Sequence, residues 1–207
     1  MRTAALFLSL AMLSSPTVFA GSYEDFFKAL QLDLTPTVDS LLKRGFDPDT
    51  IDPVRGDPAL IYAIRAEARK SIALLLSVPT INLEAKARNG DTALMIAAFK
   101  ADRQTVASLL EKAAQPNRPG WTALHYAAAA GDLEIIRMLL DKSAYIDAES
   151  PNKTTPLMMA ASRGHADAII YLMKEGADAS LKNSIGMTAK DFAKKFEDVS
   201  RMPPPSP

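Results

Sequence analysis

The chain has 207 residues, 48% of them hydrophobic, with Lys+Arg 24 balanced by Asp+Glu 24 and no cysteine at all. A neutral balance gives no support for nucleic-acid or anionic-membrane binding, which rests on clustered basic groups. Without cysteine there is no disulfide, thiolate metal site, lipidation cysteine or cysteine nucleophile, so the hydrophobic core alone must hold the fold.

Residues 1–20 read as a cleaved signal peptide. Arg2 is followed by the apolar run Ala4 to Leu13, broken only by Ser9, then by Pro16 and the small-residue site Val18-Phe19-Ala20. The run is roughly half the length a membrane span requires. No membrane insertion is therefore expected after cleavage, and the mature chain is expected in the periplasm or outside the cell. Phe26-Phe27-Lys28-Ala29-Leu30, then Val38, Leu41-Leu42 and Gly45-Phe46-Asp47, suggest a degenerate first helical unit.

From residue 56 onward one phrase recurs. It appears as Gly56-Asp57-Pro58-Ala59-Leu60, Gly90-Asp91-Thr92-Ala93-Leu94, Gly120-Trp121-Thr122-Ala123-Leu124-His125 and Thr154-Thr155-Pro156-Leu157, with a last variant at Gly186-Met187-Thr188-Ala189. An apolar pair follows each leucine at a fixed offset of 15 residues: Leu60 to Leu75, Leu94 to Leu109, Leu124 to Leu139, Leu157 to Leu172. The spacing between successive leucines is instead 34, 30 and 33 residues. Length variation therefore falls in the loop after each second helix. A slip inside the helix pair would rotate its apolar stripe out of the core, whereas a surface loop tolerates it.

Each unit reads as turn, short helix, tight turn, longer helix and loop. Thr92, Thr122, Thr155 and Thr188 are placed to cap helix starts. The pairs Ala97-Ala98, Ala127-Ala128 and Ala160-Ala161 keep the first helix slim. Gly131 and Gly164 suit a left-handed turn, while Glu67 and Ala101 stand at the same place in the two preceding units. The second helices carry Ile135, Ile136, Leu139, Leu140 and Ile169, Ile170, Leu172, Met173, expected to bury one face. At the far end Lys190 replaces the core leucine, followed by Phe192 and Phe196, as a polar terminal cap would require.

A phrase of this kind at this period resembles the ankyrin repeat. The resemblance covers about residues 22–196 and implies an all-α ankyrin-repeat solenoid of about four full repeats with degenerate N- and C-terminal caps. The expected organisation is a signal peptide at 1–20, the repeat domain at 21–197 and a flexible Pro-rich tail at 198–207. The 30-residue step reflects a shortened loop bearing Pro116 and Pro119, and that finger is expected to differ in shape from the others.

No catalytic constellation emerges. The resemblance gives His125 a bridging role between repeats and places His165 at a consensus position. With two histidines and no cysteine, neither a zinc site nor a Ser-His-Asp arrangement can be assembled. Asp47-Pro48-Asp49-Thr50-Ile51-Asp52 lacks the central glycine and closing glutamate of a calcium loop. Met138, Met158, Met159 and Met173 fall at packing positions rather than in a spaced copper-binding run. No cofactor or metal is expected.

The resemblance implies a concave binding surface made of loop tips and the outward side of each first helix. Carried onto this sequence, it selects Arg55, Asp57 and Arg65 in the first full repeat, and Arg88, Asn89, Asp91, Phe99 and Lys100 in the second. It selects Arg118 and Trp121 in the third, Asn152, Thr154, Ser162 and Arg163 in the fourth, and Ile185 and Met187 in the terminal cap. Trp121, the single tryptophan, is expected on a finger as a binding hot spot, since tryptophan and arginine dominate interface energetics. The expected function is that of a monomeric, non-enzymatic protein-binding module whose partner carries an acidic patch. The alternatives are a secreted effector or toxin-neutralising protein and, more remotely, a hydrolase using Asp57 and Asp91.

Overall fold

The computed structural model describes residues 16–200, and the side chains of 23–195 and 197 within them. Eleven helices follow one another among these residues. They are α1 (Pro16–Gln31), α2 (Thr35–Lys43), α3 (Ala59–Arg65), α4 (Arg69–Ser77), α5 (Ala93–Phe99), α6 (Arg103–Glu111), α7 (Ala123–Ala130), α8 (Leu133–Asp141), α9 (Pro156–Ser162), α10 (Ala166–Lys174) and α11 (Ala189–Ser200). The first fifteen residues of the expected signal segment and the tail after Ser200 lie outside the described residues. Helix α11 runs three residues past the expected domain end at 197.

The helices form two rows. Odd-numbered helices pack against one another in sequence, and even-numbered helices do the same behind them. Ala97, Ala98, Ala127, Ala128, Ala160 and Ala161 are each at most 1% exposed, so the odd row closes to short range. The even row meets through leucine and isoleucine and stays wider. A stack tighter on one side curves toward that side, which makes the odd row and its connecting loops the concave face.

The offset of 15 marks the core. Leu60, Leu94, Leu124 and Leu157 are at most 3% exposed, and Leu75, Leu109, Leu139 and Leu172 are fully buried. The second member of the pair depends on a following repeat. Leu76 and Leu110 are buried and Leu140 is half-buried, but Met173 is 52% exposed and Ile170 is exposed beside it. Expected as core filler, Met173 is surface, because α11 continues straight where earlier units turn into a second helix. Among the described residues no second helix follows α10 to cover that edge.

Local chemistry sets the turns. The backbone between the paired helices is left-handed at Asp33, Glu67 and Ala101, with φ between 52° and 58°, and at Gly131 and Gly164, with φ 72°. The conformation thus belongs to the position, and glycine merely adopts it at lower cost. Thr92 and Thr155 accept from the backbone N–H three residues on, at 3.4 Å each. Asp102 and Asp132 cap α6 and α8 in the same way. Between repeats, one loop side chain accepts the backbone N–H of the next loop: Asp49 from Asn82, Glu84 from Gln115, Asn117 from Tyr145 and Asp147 from Asp178. Asp49 is therefore committed to this ladder, while Asp47 and Asp52 accept N–H groups within their own loop. Among the described residues no helix is long and apolar enough to cross a membrane.

Candidate partner-binding face

The third repeat shows how the fingers are held. His125 is fully buried at the start of α7. Its Nε2 lies 2.8 Å from the Thr154 carbonyl, which can only accept, and its Nδ1 faces the Thr122 N–H at 3.2 Å, which can only donate. The partners fix the Nε2–H tautomer, and burial holds the imidazole below the usual histidine range. One neutral side chain thereby ties the third repeat to the finger of the fourth.

The second repeat has Met95 at that position, and a thioether cannot donate. The bridge is made from the other side. Arg118 reaches back from the next finger to donate to the Gly90 carbonyl at 2.8 Å and to the Met95 sulfur at 3.4 Å. The shortened third finger does differ from the first two. Those carry antiparallel bridges at Ile51–Pro58 and Lys86–Thr92, the only ones among the described residues and missing from the fourth finger as well, while the third is held through Arg118. Arg88 occupies the same place two residues before its own fingertip and lies against Gly56, where an added Cβ would come within 3.1 Å of its Nε. Pro151 packs on Gly120 in the same register. Arg118, selected as a partner-binding residue, is a finger brace, whereas Arg88 is exposed and lines a hollow with Arg55, Asp57, Arg65 and Asn89.

Three further selections are largely buried. Asp57, Asp91 and Thr154 are only 4%, 7% and 5% exposed, although Asp57 and Asp91 each still line a hollow of the face. Asp57 pairs with Arg65 at 3.0 Å. Asp91 accepts from the Tyr126 hydroxyl at 2.6 Å and from the Asn89 amide at 2.6 Å. Both carboxylates orient groove residues from within the wall. Trp121 directly follows the fingertip Gly120; half-buried, it stands edge-on to His125 with ring centroids 5.2 Å apart.

Two adjoining hollows gather the rest. One, of about 510 Å³, is lined by Arg55, Arg65, Asn89, Phe99, Lys100 and Tyr126 among others. The other, of about 230 Å³, is walled by Phe99, Trp121, His125, Tyr126, Met159 and Arg163, with Ala129 at its side. Phe99 and Tyr126 are shared, and their rings meet edge-to-face at 5.9 Å. Burial and the neighbouring Asp91 carboxylate push the Tyr126 phenol up, so it remains a neutral donor. Asn152 is exposed but turned to its own loop, where its Oδ1 accepts from Ser150. Ser162 is half-buried and its hydroxyl donates to the Met159 carbonyl. Ile185, 77% exposed, and the half-buried Met187 lie in the terminal finger and line neither hollow.

Tyr126 and Met159 were missed in the sequence. Both stand two residues after the phrase's leucine, as do Tyr62 and Ile96. At this helix position Tyr62 and Tyr126 reach back to the preceding repeat, Tyr62 to Phe27 and Tyr126 to Phe99 and Asp91, and that recurring place was the available signal.

The larger hollow is lined by three cations, Arg55, Arg65 and Lys100, against one carboxylate, Asp91. Lys100 pairs with Glu67 at 2.7 Å, and Arg55 sits 5.6 Å from the centroid of the Tyr62 ring. Arg55 and Arg163 make no ion pair among the described residues and stand on opposite sides of the aromatic hollow.

Comparison with known proteins agrees with this geometry. The family model described as ankyrin repeats (3 copies) matches residues 26–119 and 114–183. The chain is similar to the Homo sapiens protein "SH3 and multiple ankyrin repeat domains protein 2", with 30% identity over 164 residues. That match takes in 77% of this chain, which spans 9% of the relative's length. This chain belongs to the ankyrin-repeat family, whose repeats form protein–protein interaction modules.

Proposed function

We propose that this protein is a non-enzymatic docking module that works after export, in the periplasm or beyond it, and holds a protein partner with an acidic patch on its concave face. The supporting observation is the paired hollow on that face. Phe99, Trp121, Tyr126 and Met159 enclose apolar space, and the flanking groups free of ion pairs, Arg55 and Arg163, are cations. A face braced by Arg118, His125 and the loop ladder loses little conformational entropy on docking, so moderate contacts yield usable affinity.

The test is a cross-linking pull-down from the native envelope, with wild type beside Trp121→Ala and Arg163→Glu. The partner should be lost from both variants while each melts like wild type, and wild-type capture should weaken as salt rises. Capture that is insensitive to both substitutions and to salt would sink the proposal. Cell fractionation tests export: the protein should appear in periplasmic extract or in the medium.

A further inference from the structure

We infer that the groove takes an extended peptide segment, with one large apolar side chain seated in the aromatic hollow and carboxylates at set distances on either side. This rests on the docking role just proposed and specifies the chemistry of its partner. The hollow of about 230 Å³ is walled by three aromatic rings, the neutral His125 and the Met159 thioether. Cavities near 150 Å³ accommodate a benzene ring, so a phenyl or indole fits here. The thioether adapts to either shape. An ammonium group would also be drawn to such rings, but the Arg163 guanidinium in the wall opposes it. The anchor is therefore apolar.

The spacing follows from the repeat. Neighbouring helices lie about 8–10 Å apart, and an extended chain advances about 3.3 Å per residue, so one repeat matches roughly three residues. The hollow centres on α7. Arg163 follows the C-terminal end of α9, one repeat onward, and Arg55 precedes α3, two repeats back. The ligand therefore carries a carboxylate about three residues from its anchor on one side. A second carboxylate stands about six residues away on the other side. Asp57 is neutralised by Arg65, and Asp91, which keeps its charge among the neutral Tyr126 and Asn89 donors, is outnumbered in the larger hollow by Arg55, Arg65 and Lys100.

The single tryptophan lines the hollow and gives a direct readout. Two synthetic dodecapeptides, one the reverse of the other, carry a single Phe with Glu at the short spacing and Asp at the long one, in a Ser/Asn background. One order should shift Trp121 emission saturably in the full chain. Replacing its Phe by Ala should weaken binding tenfold or more. Arg163→Gln, at an exposed site, should weaken it severalfold and flatten its salt dependence. Phe99→Ala, also at an exposed site, should remove the emission shift while the protein melts as wild type does.

Failure of both orders to give a saturable shift, or equal affinity of the Phe and Ala peptides, overturns the inference. If the peptides fail while envelope capture still depends on Trp121, the face holds a folded surface and the linear-segment inference falls alone. If capture is also insensitive, the docking role falls with it.

Discussion

Substituting Gly131 by alanine tests whether the turn between α7 and α8 is constrained by its backbone or by its neighbour. Gly131 has φ 72°, and an added Cβ would stand 2.6 Å from His165 Nδ1 and 2.7 Å from its Cγ. The left-handed conformation costs an alanine about 1–2 kcal/mol. The imidazole would also have to move, losing the contact of its Nε2 with the Ala129 carbonyl at 3.0 Å, worth about 0.5–1.5 kcal/mol. Together these predict a loss of about 1.5–3.5 kcal/mol, read from urea denaturation monitored by circular dichroism.

Two comparisons separate the contributions. Ala101 already adopts φ 54° at the same turn in the second repeat. Ala101→Gly exchanges relief of that strain for a larger unfolded-state entropy, and should change stability by less than about 1 kcal/mol. In the Gly131→Ala, His165→Ala double variant the clash is gone. Its cost should fall short of the sum of the single costs by about 1 kcal/mol or more. Additivity within about 0.5 kcal/mol would refute the argument, since the histidine would then be yielding freely. So would a Gly131→Ala cost equal to the backbone term alone.

Other outcomes follow from the same geometry. Leu139→Ala removes a fully buried side chain between repeats and should cost about 2–5 kcal/mol in urea unfolding. Asp132→Ala removes the acceptor of the Glu134 and Ile135 N–H groups at the start of α8, predicting a loss of about 1–2 kcal/mol. Arg103→Ala at its other partner, 61% exposed, should cost under about 1 kcal/mol. Because burial lowers the His125 pKa from 6.5, the unfolded chain binds the proton first as pH falls. This contribution is complete above about pH 6.5 and declines as acidity increases below it. Melting temperature should therefore drop from pH 7 to pH 5, with a shallower slope in His125→Asn.

How much of this was legible in the sequence depended on whether one repeat or several carried the signal. The offset from leucine to apolar pair is local to a helix pair, and it located Leu124 and Leu139 in the core without further information. The same holds for Glu67 and Ala101, whose left-handed turns follow from register alone. Arg118 was misread because its role depends on what a different repeat lacks: Met95 cannot donate, and only the fold shows the arginine reaching back. The burial of Asp57 and Asp91 was hidden for a related reason, since a fingertip carboxylate looks exposed until Arg65 and Tyr126 close over it. Met173 kept the spacing of a core residue, yet among the described residues no further second helix follows to cover it. The missing signal was a turn at Glu197, one repeat after Gly164, where α11 instead continues.

The alanines of the odd row have an effect that reaches beyond packing. Their methyl groups act as spacers, and spacer thickness fixes the arc of the stack and hence the aperture between Arg55 and Arg163. Affinity for a segment of given length is thus controlled by side chains that no ligand touches. A library varying Ala98, Ala128 and Ala161 alone would tune the span of the groove while leaving every contacting residue in place.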